Sequence, residues 1–324
     1  MALELSIVIL SFNQYDLTTG PCLASLSEVD TVDMEIIVVD NGSEDDTLHQ
    51  LAQAASRDPR VKLVLNSENR GYAGGNNDGV AQAQAEFIVL LNSDTRVLPT
   101  SMPLLVRQLK KTTGPAMIGP VTNAAGNEQQ IFFESDNVES VLEQGALWCR
   151  HAQGSMINTD QLSFFCVAMP RTTYTDLGGL DEGYSLGFYE DTDFCCRAVR
   201  SGVKLQIMEE AFVYHAGSAS FSTMPETVKK LLKENRKKFR ERNGKVVEKH
   251  VRYKNLDVLQ SYLGELQARG NNPALAYRFK NRLNRARELT PNSPVKKMLY
   301  SFRLKKILHH AVKESDCLSE SRSS

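Results

Sequence analysis

Apolar and polar positions alternate in blocks along the first 120 residues. LSIVILSF, MEIIVVD, VKLVL and FIVLL are near-continuous apolar runs, the pattern of strands buried on both faces of a sheet. Helical signals separate them: a stretch at about 15–27, the segment EDDTLHQLAQAAS with its acidic start, the Ala-rich GGNNDGVAQAQAE, and PTSMPLLVRQLKK. AMIGPVT adds a fifth strand. A strand and a helix every 25 to 30 residues or so predict βαβ units and a mostly parallel sheet. From about 120 to 165 the pattern loosens into a Gly/Asn-rich loop, with a helix expected around Trp148. FFCVAMP, VKLQIME and FVYHAG are expected as short strands, and DTDFCCRAVRSG as a helix. Three or four further helices follow residue 226, and the closing SESRSS is expected to lack fixed structure.

Composition divides this layout in two. The 324 residues carry a net charge of −1, but residues 1–227 hold 13 Lys and Arg against 30 Asp and Glu. Residues 228–313 hold 24 against 6, so an acidic body precedes a basic tail, with the change near Met224-Pro225. The expected division is a body over 1–223, a basic helical region over 224–316 and a disordered end over 317–324. No apolar run approaches the roughly 20 residues needed to span a bilayer. The N-terminus runs directly into a strand pattern without the flanks of a signal peptide. Six cysteines show no CxxC pairing or disulfide spacing, and Cys195-Cys196 have the look of small core residues, so a reducing, cytoplasmic setting is expected.

The candidate chemistry lies where strands stop. Asn92-Ser93-Asp94 ends the FIVLL run, and an unpaired carboxylate buried there would cost on the order of several kcal/mol. Ser11-Phe12-Asn13 ends the first strand and Asp40-Asn41-Gly42-Ser43 the second; in open α/β sheets ligands bind outside such carboxyl ends. NRGYAGGNNDG (69–79) has the glycines of a loop that lets a ligand approach the backbone, and Arg70 offers a cationic fork. It is neither GxGxxG nor a P-loop, which argues against a nicotinamide-dependent oxidoreductase. Glu190, Asp191 and Asp193 crowd a helix start, where the dipole favours negative charge but mutual repulsion raises carboxyl pKa values. One of them could act as a general base, with Arg197 positioned to pair with Asp193. His215 ends another apolar strand and is as readily structural as a ligand.

Taken in order, VILSFNQ, VVDNGSEDDT, NRGYAGGNNDG, LLNSD, GGLDEGYSLGFYEDTDFCCRAVRSG and the HAGSASF stretch resemble the inverting glycosyltransferases of family 2. The likeness spans roughly residues 4–221, and the LLNSD and YEDTDFCCR forms sit nearest the rhamnosyl- and galactofuranosyl-transferase branch. The resemblance implies an α/β GT-A nucleotide-sugar-binding fold with a basic, helical C-terminal extension. It assigns Ser11, Phe12, Asn13, Asp40, Arg70, Gly71, Gly75, Asn76 and Ser93 to the nucleotide. Asp94 and His215 would hold a divalent metal, Mn²⁺ or Mg²⁺, and Asp191 would be the base, with Glu190, Asp193, Arg197 and Trp148 supporting it or the acceptor. The donor would be a nucleotide-diphospho-sugar and the acceptor a glycan or lipid-linked hydroxyl, in polysaccharide or cell-surface glycan synthesis. Asn92 stands where many relatives have Asp, so a degenerate protein that binds nucleotide-sugar or glycan without transfer is the alternative. Acceptor contacts are expected in 120–190, where Trp148, Phe164, Phe165 and Tyr184 could stack on sugars or fill the core. For the basic tail, a solvated helical face and peripheral attraction to an anionic membrane at its inner face both stand. Nucleic acid is not expected, because no recognition motif accompanies the charge.

Overall fold

The computed structural model describes residues 3–184, 187–217, 225–244, 249–269 and 272–320. The four apolar runs become β1 (Leu5–Ser11), β2 (Met34–Asp40), β3 (Val61–Leu65) and β4 (Phe87–Asn92). All seven residues of β2 are buried, as an interior parallel strand requires. Among the described residues, five more strands complete the sheet: β5 (Thr95–Val97), β6 (Ala116–Val121), β7 (Met156–Asn158), β8 (Cys166–Pro170) and β9 (Lys204–His215). The order across the nine strands is β3-β2-β1-β4-β8-β6-β9-β5, with β7 pairing to β9. β3, β2, β1 and β4 are mutually parallel, whereas β8 runs antiparallel between β4 and β6. VKLQIME and FVYHAG, expected as two strands, are one continuous β9. Its register against β6 slips between Pro120 and Val121, so two runs that read as separate pair with the same neighbour.

Helices α1 (Thr19–Ser27), α2 (Thr47–Arg57) and α4 (Ser101–Lys111) cover one face of the sheet. Helices α3 (Gly71–Gln82), α5 (Val138–His151) and α7 (Glu190–Arg200) cover the other, and the short α6 (Arg171–Asp176) follows β8. Alternation along each strand divides the core accordingly: Ile7 and Ile9 face the first layer, Val8 the second. The segment expected as a ligand-approach loop at 69–79 is instead the start of α3. A Cβ at Gly75 would lie 2.2 Å from Leu10, and one at Gly79 would lie 2.3 Å from Val8. These glycines bring the helix backbone onto β1; they do not open it to a ligand.

Among the described residues the basic tail forms four helices: α8 (Pro225–Asn243), α9 (Val251–Arg269), α10 (Pro273–Glu288) and α11 (Pro294–Glu320). Three of them open on proline, whose missing N–H costs nothing in the first turn. α11 extends to Glu320, into the segment expected to lack structure, while residues 321–324 and the expected boundary at 223/224 lie outside the described residues. The tail is keyed into the body by a buried charge. Glu209 on β9, fully buried, receives Arg282 at 2.8 Å and Arg278 at 3.0 Å, and Tyr262 donates its hydroxyl to the same carboxylate. Arg282 also donates to the carbonyls of Glu128 and Gln130 and lies over the ring of Trp148. Burial alone would raise the pKa of Glu209, but the charge and hydrogen bonds of Arg282, with Tyr262 and Arg278, hold it below its ordinary value.

Removing one member of such a group leaves buried cations uncompensated. Glu209→Gln is therefore expected to destabilise the fold by about 3–5 kcal/mol, measured by urea unfolding at neutral pH. Because the folded pKa is depressed, this stabilisation is present above the ordinary carboxylate pKa and lost as pH falls through the folded value. The variant should accordingly show a shallower loss of stability on acidification than the parent chain.

Candidate functional site

Parallel strands that share a direction also share an edge. Ser11 pairs with Asp40, and Leu10 with Asn92, so the polar ends of β1, β2 and β4 emerge side by side. The first two ends are clasped together. Asn13 and Gln14 have left-handed backbones (φ 52° and 57°), and their N–H groups donate to Ser43 and Asp45. Asp40 is buried and accepts the Ser43 hydroxyl at 2.5 Å. Ser11 is buried against the Thr19 hydroxyl, while Phe12 stays partly exposed at the lip. Asn41, a residue not singled out from the sequence, holds the next loop: its Oδ1 accepts from Asn66 and from the Arg70 N–H, and its Nδ2 donates to Asn69.

Beyond β4, Ser93 and Asp94 form a turn into β5, whose Thr95 pairs with His215 at the end of β9. That pairing brings His215 Nε2 to 3.4 Å from Asp94 Oδ1. The Nδ1 of His215 donates to the Ala124 carbonyl at 2.8 Å, and Phe165 stacks on the ring at 5.3 Å, so position and orientation are both fixed. Burial disfavours the imidazolium, yet Asp94 and the Ala124 carbonyl raise the pKa of His215 above its ordinary value. Among the described residues no group of three or more His, Cys, Asp or Glu assembles to hold a metal. A carboxylate and an oriented imidazole fit a divalent ion whose remaining ligands come from phosphate oxygens and water. Asn92, whose Nδ2 lies 3.5 Å from His215 Nε2, contributes an amide where a second carboxylate could have been.

The acidic helix start is held by a different set of contacts. Phe188 and Tyr189 precede α7 in the left-handed region (φ 73° and 78°), a conformation that is uncommon for bulky residues and holds only when its surroundings enforce it. Here α8 does so: buried Asn235 donates to the carbonyls of Gly187 at 2.7 Å and Phe188 at 3.1 Å, and Phe239 packs on Tyr189. Asp193 is buried, paired with Arg197 at 2.8 Å as its spacing implies, and accepts from Tyr184 and Asn243. Thr192 donates its N–H to Asp191 at 2.6 Å. Glu190 is buried, and its Oε2 has no hydrogen-bond partner among the described residues; burial, and then the charge of Asp191, push its pKa up to about 8. Tyr72 connects the two halves. Its hydroxyl, donated to the Phe164 carbonyl, is pushed well above its ordinary pKa by burial and by the charges of Glu190, Asp191 and, further off, Asp94.

Four expectations are corrected by this geometry. Trp148 is wholly buried and gives its Nε1–H to the Glu209 carbonyl, so it is no platform for an acceptor; Phe164, Phe165 and Tyr184 are also core. Arg70 is no free fork, since Asp78 and Glu182 pair with it. The Asn76 side chain is buried and donates to the Tyr72 carbonyl within α3. Gly71, at φ 70°, starts that helix, and Gly75 packs on Leu10. The serines after Gly217 lie outside the described residues. Of the paired cysteines, Cys195 is core and Cys196 only half-buried.

With this geometry established, comparison with known proteins is informative. Residues 6–164 match the family model described as Glycosyl transferase family 2. This segment, just under half of the chain, is similar to glycosyl transferase family 2. A GalNAc(5)-diNAcBac-PP-undecaprenol beta-1,3-glucosyltransferase of Campylobacter jejuni is 32% identical over 106 residues, 32% of this chain and 34% of that one. A poly-beta-1,6-N-acetyl-D-glucosamine synthase of Staphylococcus epidermidis is 23% identical over 232 residues, 71% of this chain and 52% of that one. The chain thus spans about a third to a half of these curated relatives. The mannosyltransferase PcManGT of Pyrobaculum calidifontis, solved with GDP-Man and Mn²⁺, aligns over 96% of this chain and 86% of its own at a TM-score of 0.57 and 17% identity. The chain accordingly has the GT-A fold, followed by the four C-terminal helices.

The orphaned Glu190 makes a stability prediction. Between its ordinary value of 4.5 and about 8 the folded state retains a proton that the unfolded chain has released, so stability falls as pH rises through that window. Glu190→Gln should flatten this fall, measured as melting temperature from about pH 5 to 9. An unchanged slope would show that the carboxyl is solvated.

Proposed function

We propose that this protein transfers a sugar from a nucleotide-diphospho-sugar to a hydroxyl of a glycan or lipid-linked acceptor, with inversion at the anomeric carbon. The observation that carries this reading is that two charged groups act on one tyrosine: beyond the effect of burial, Asp94, paired with His215 on the sheet edge, and Asp191 at the start of α7 both raise the pKa of Tyr72. The clasped ends of β1 and β2 would take the nucleoside, with buried Asp40 fixed by Ser43. Asp94 and His215 would hold a divalent ion, Mn²⁺ or Mg²⁺, which when bound neutralises charge on the diphosphate. Because Glu190 keeps its proton below about pH 8, the pair carries one charge, which we assign to Asp191. Asp191 would take the acceptor proton as that oxygen attacks the anomeric carbon and the nucleoside diphosphate departs. The likeness of the LLNSD and YEDTDFCCR segments to the rhamnosyl- and galactofuranosyl-type branch supports those donors first.

Asn92 favours a second reading, a protein that binds nucleotide-sugar without transfer. Transfer or donor hydrolysis by the purified protein would exclude it.

Two variants test the first reading. Asp191→Asn should lower transfer by about 10²–10⁴ while nucleoside diphosphate binding, measured calorimetrically, is unchanged. Retention of most activity would remove Asp191 from its role. Asp94→Ala should abolish the Mn²⁺-dependent part of the thermal shift given by UDP, GDP or dTDP; a shift equal with and without metal in the parent chain would remove Asp94 and His215 instead.

A further inference from the structure

The tail helices bury most of their apolar residues, but α11 presents a second apolar face. Tyr300 and Ile307, with Leu304, turn inward against α9 and α10. On the opposite side Val295, Met298, Leu299 and Phe302 are 64%, 65%, 53% and 70% exposed. Their spacing of i, i+3, i+4 and i+7 makes one continuous ridge. The other large exposed apolar residues among those described are dispersed over the β1–α1 turn, α2, β3, α7 and α8, so within that set the ridge is the one helical stripe.

The charge around the ridge decides its occupant. Between Glu288 and Glu314 the chain has six Lys and Arg and no carboxylate. Lys296, Lys297, Lys305 and Lys306 are exposed, and a turn of about 100° per residue sets Lys305 and Lys306 on either side of the ridge crest. An apolar stripe bordered by cations fits a surface that is apolar beneath and anionic above, which is the interface of an anionic phospholipid bilayer. A second copy of the chain is a poor match, because docking ridge on ridge would bring two such cationic borders together.

We infer that α11 lies in the plane of an anionic membrane surface, with Val295, Met298, Leu299 and Phe302 inserted among the acyl chains and the flanking lysines on the headgroups. No helix among the described residues is long and apolar enough to cross a membrane, so the attachment is peripheral through this face. The inference stands on the C-terminal helices and does not depend on the proposed reaction.

The test is flotation of the full chain with vesicles of phosphatidylcholine alone or mixed with phosphatidylglycerol. The parent chain should float only with the mixed vesicles. Met298→Ser combined with Phe302→Ser, which leaves the charge unchanged, should weaken that binding by about tenfold or more. Lys305→Gln with Lys306→Gln should weaken it by severalfold at least. Since these side chains are exposed, the variants should keep the parent melting temperature. Phe302→Trp adds a fluorescent reporter to the buried Trp148, and the emission of the new indole should shift to the blue on mixed vesicles. Absence of flotation, serine variants that float like the parent, or a Phe302→Trp emission that stays unshifted would each overturn the inference. A dimer in sedimentation velocity that the serine variant abolishes, without flotation, would overturn it in favour of a second copy.

Discussion

Everything in this site depends on the parallel register of β1 between β2 and β4. Strands running in one direction end on one edge, and the apolar runs Ile7–Leu10 and Ile36–Val39 lead β1 and β2 directly to it. Asp40, Asn92 and Asp94 are therefore grouped by the same constraint that buries the core. A shift of one residue would turn every side chain of a strand to the opposite face and set its end out of line with its neighbours. The long pairing of β9 extends the constraint, carrying His215 from the far side of the sheet to Asp94.

Charge is then handled in two contrasting ways. Glu209 is buried but answered by two arginines and a tyrosine, and it binds the tail to the sheet. Glu190 is buried and one of its oxygens is unanswered among the described residues, beside a helix start reached through two left-handed residues. The first arrangement stabilises the fold, and the second holds a group in a state it would not adopt in water. Such uncompensated local strain concentrates at functional sites in proteins generally.

The apolar runs made β1 to β4 legible, and the polar strand ends made the site edge legible, because burial on both faces leaves a plain mark in sequence. Three-residue strands such as β5 and β7 leave no such mark, and their pairing is set by tertiary neighbours. Glycine carries no sign of its purpose: Gly75 and Gly79 serve close helix packing where ligand approach was the expectation. Arg278 and Arg282 look like surface charges in RFKNRLNRARE, and only the partner Glu209, some seventy positions away, reveals them as interior. Trp148 and Tyr184 were open to two readings and prove to be core, since an aromatic side chain suits a core and a sugar-binding face equally well.

The turn before α7 has a consequence for how such a chain diversifies. The match to the family model ends at residue 164, while the candidate base sits at Asp191 and the tether of its turn at Asn235 on α8. Asp40 and Asp94 thus lie inside the matched segment, whereas His215, Asp191 and the α8 tether lie beyond it. Drift in α8 would shift the turn before α7 while leaving the polar ends of β1, β2 and β4 intact. By the same token, grafting residues 6–164 onto a foreign tail would carry Asp94 over without His215, its neighbour at 3.4 Å.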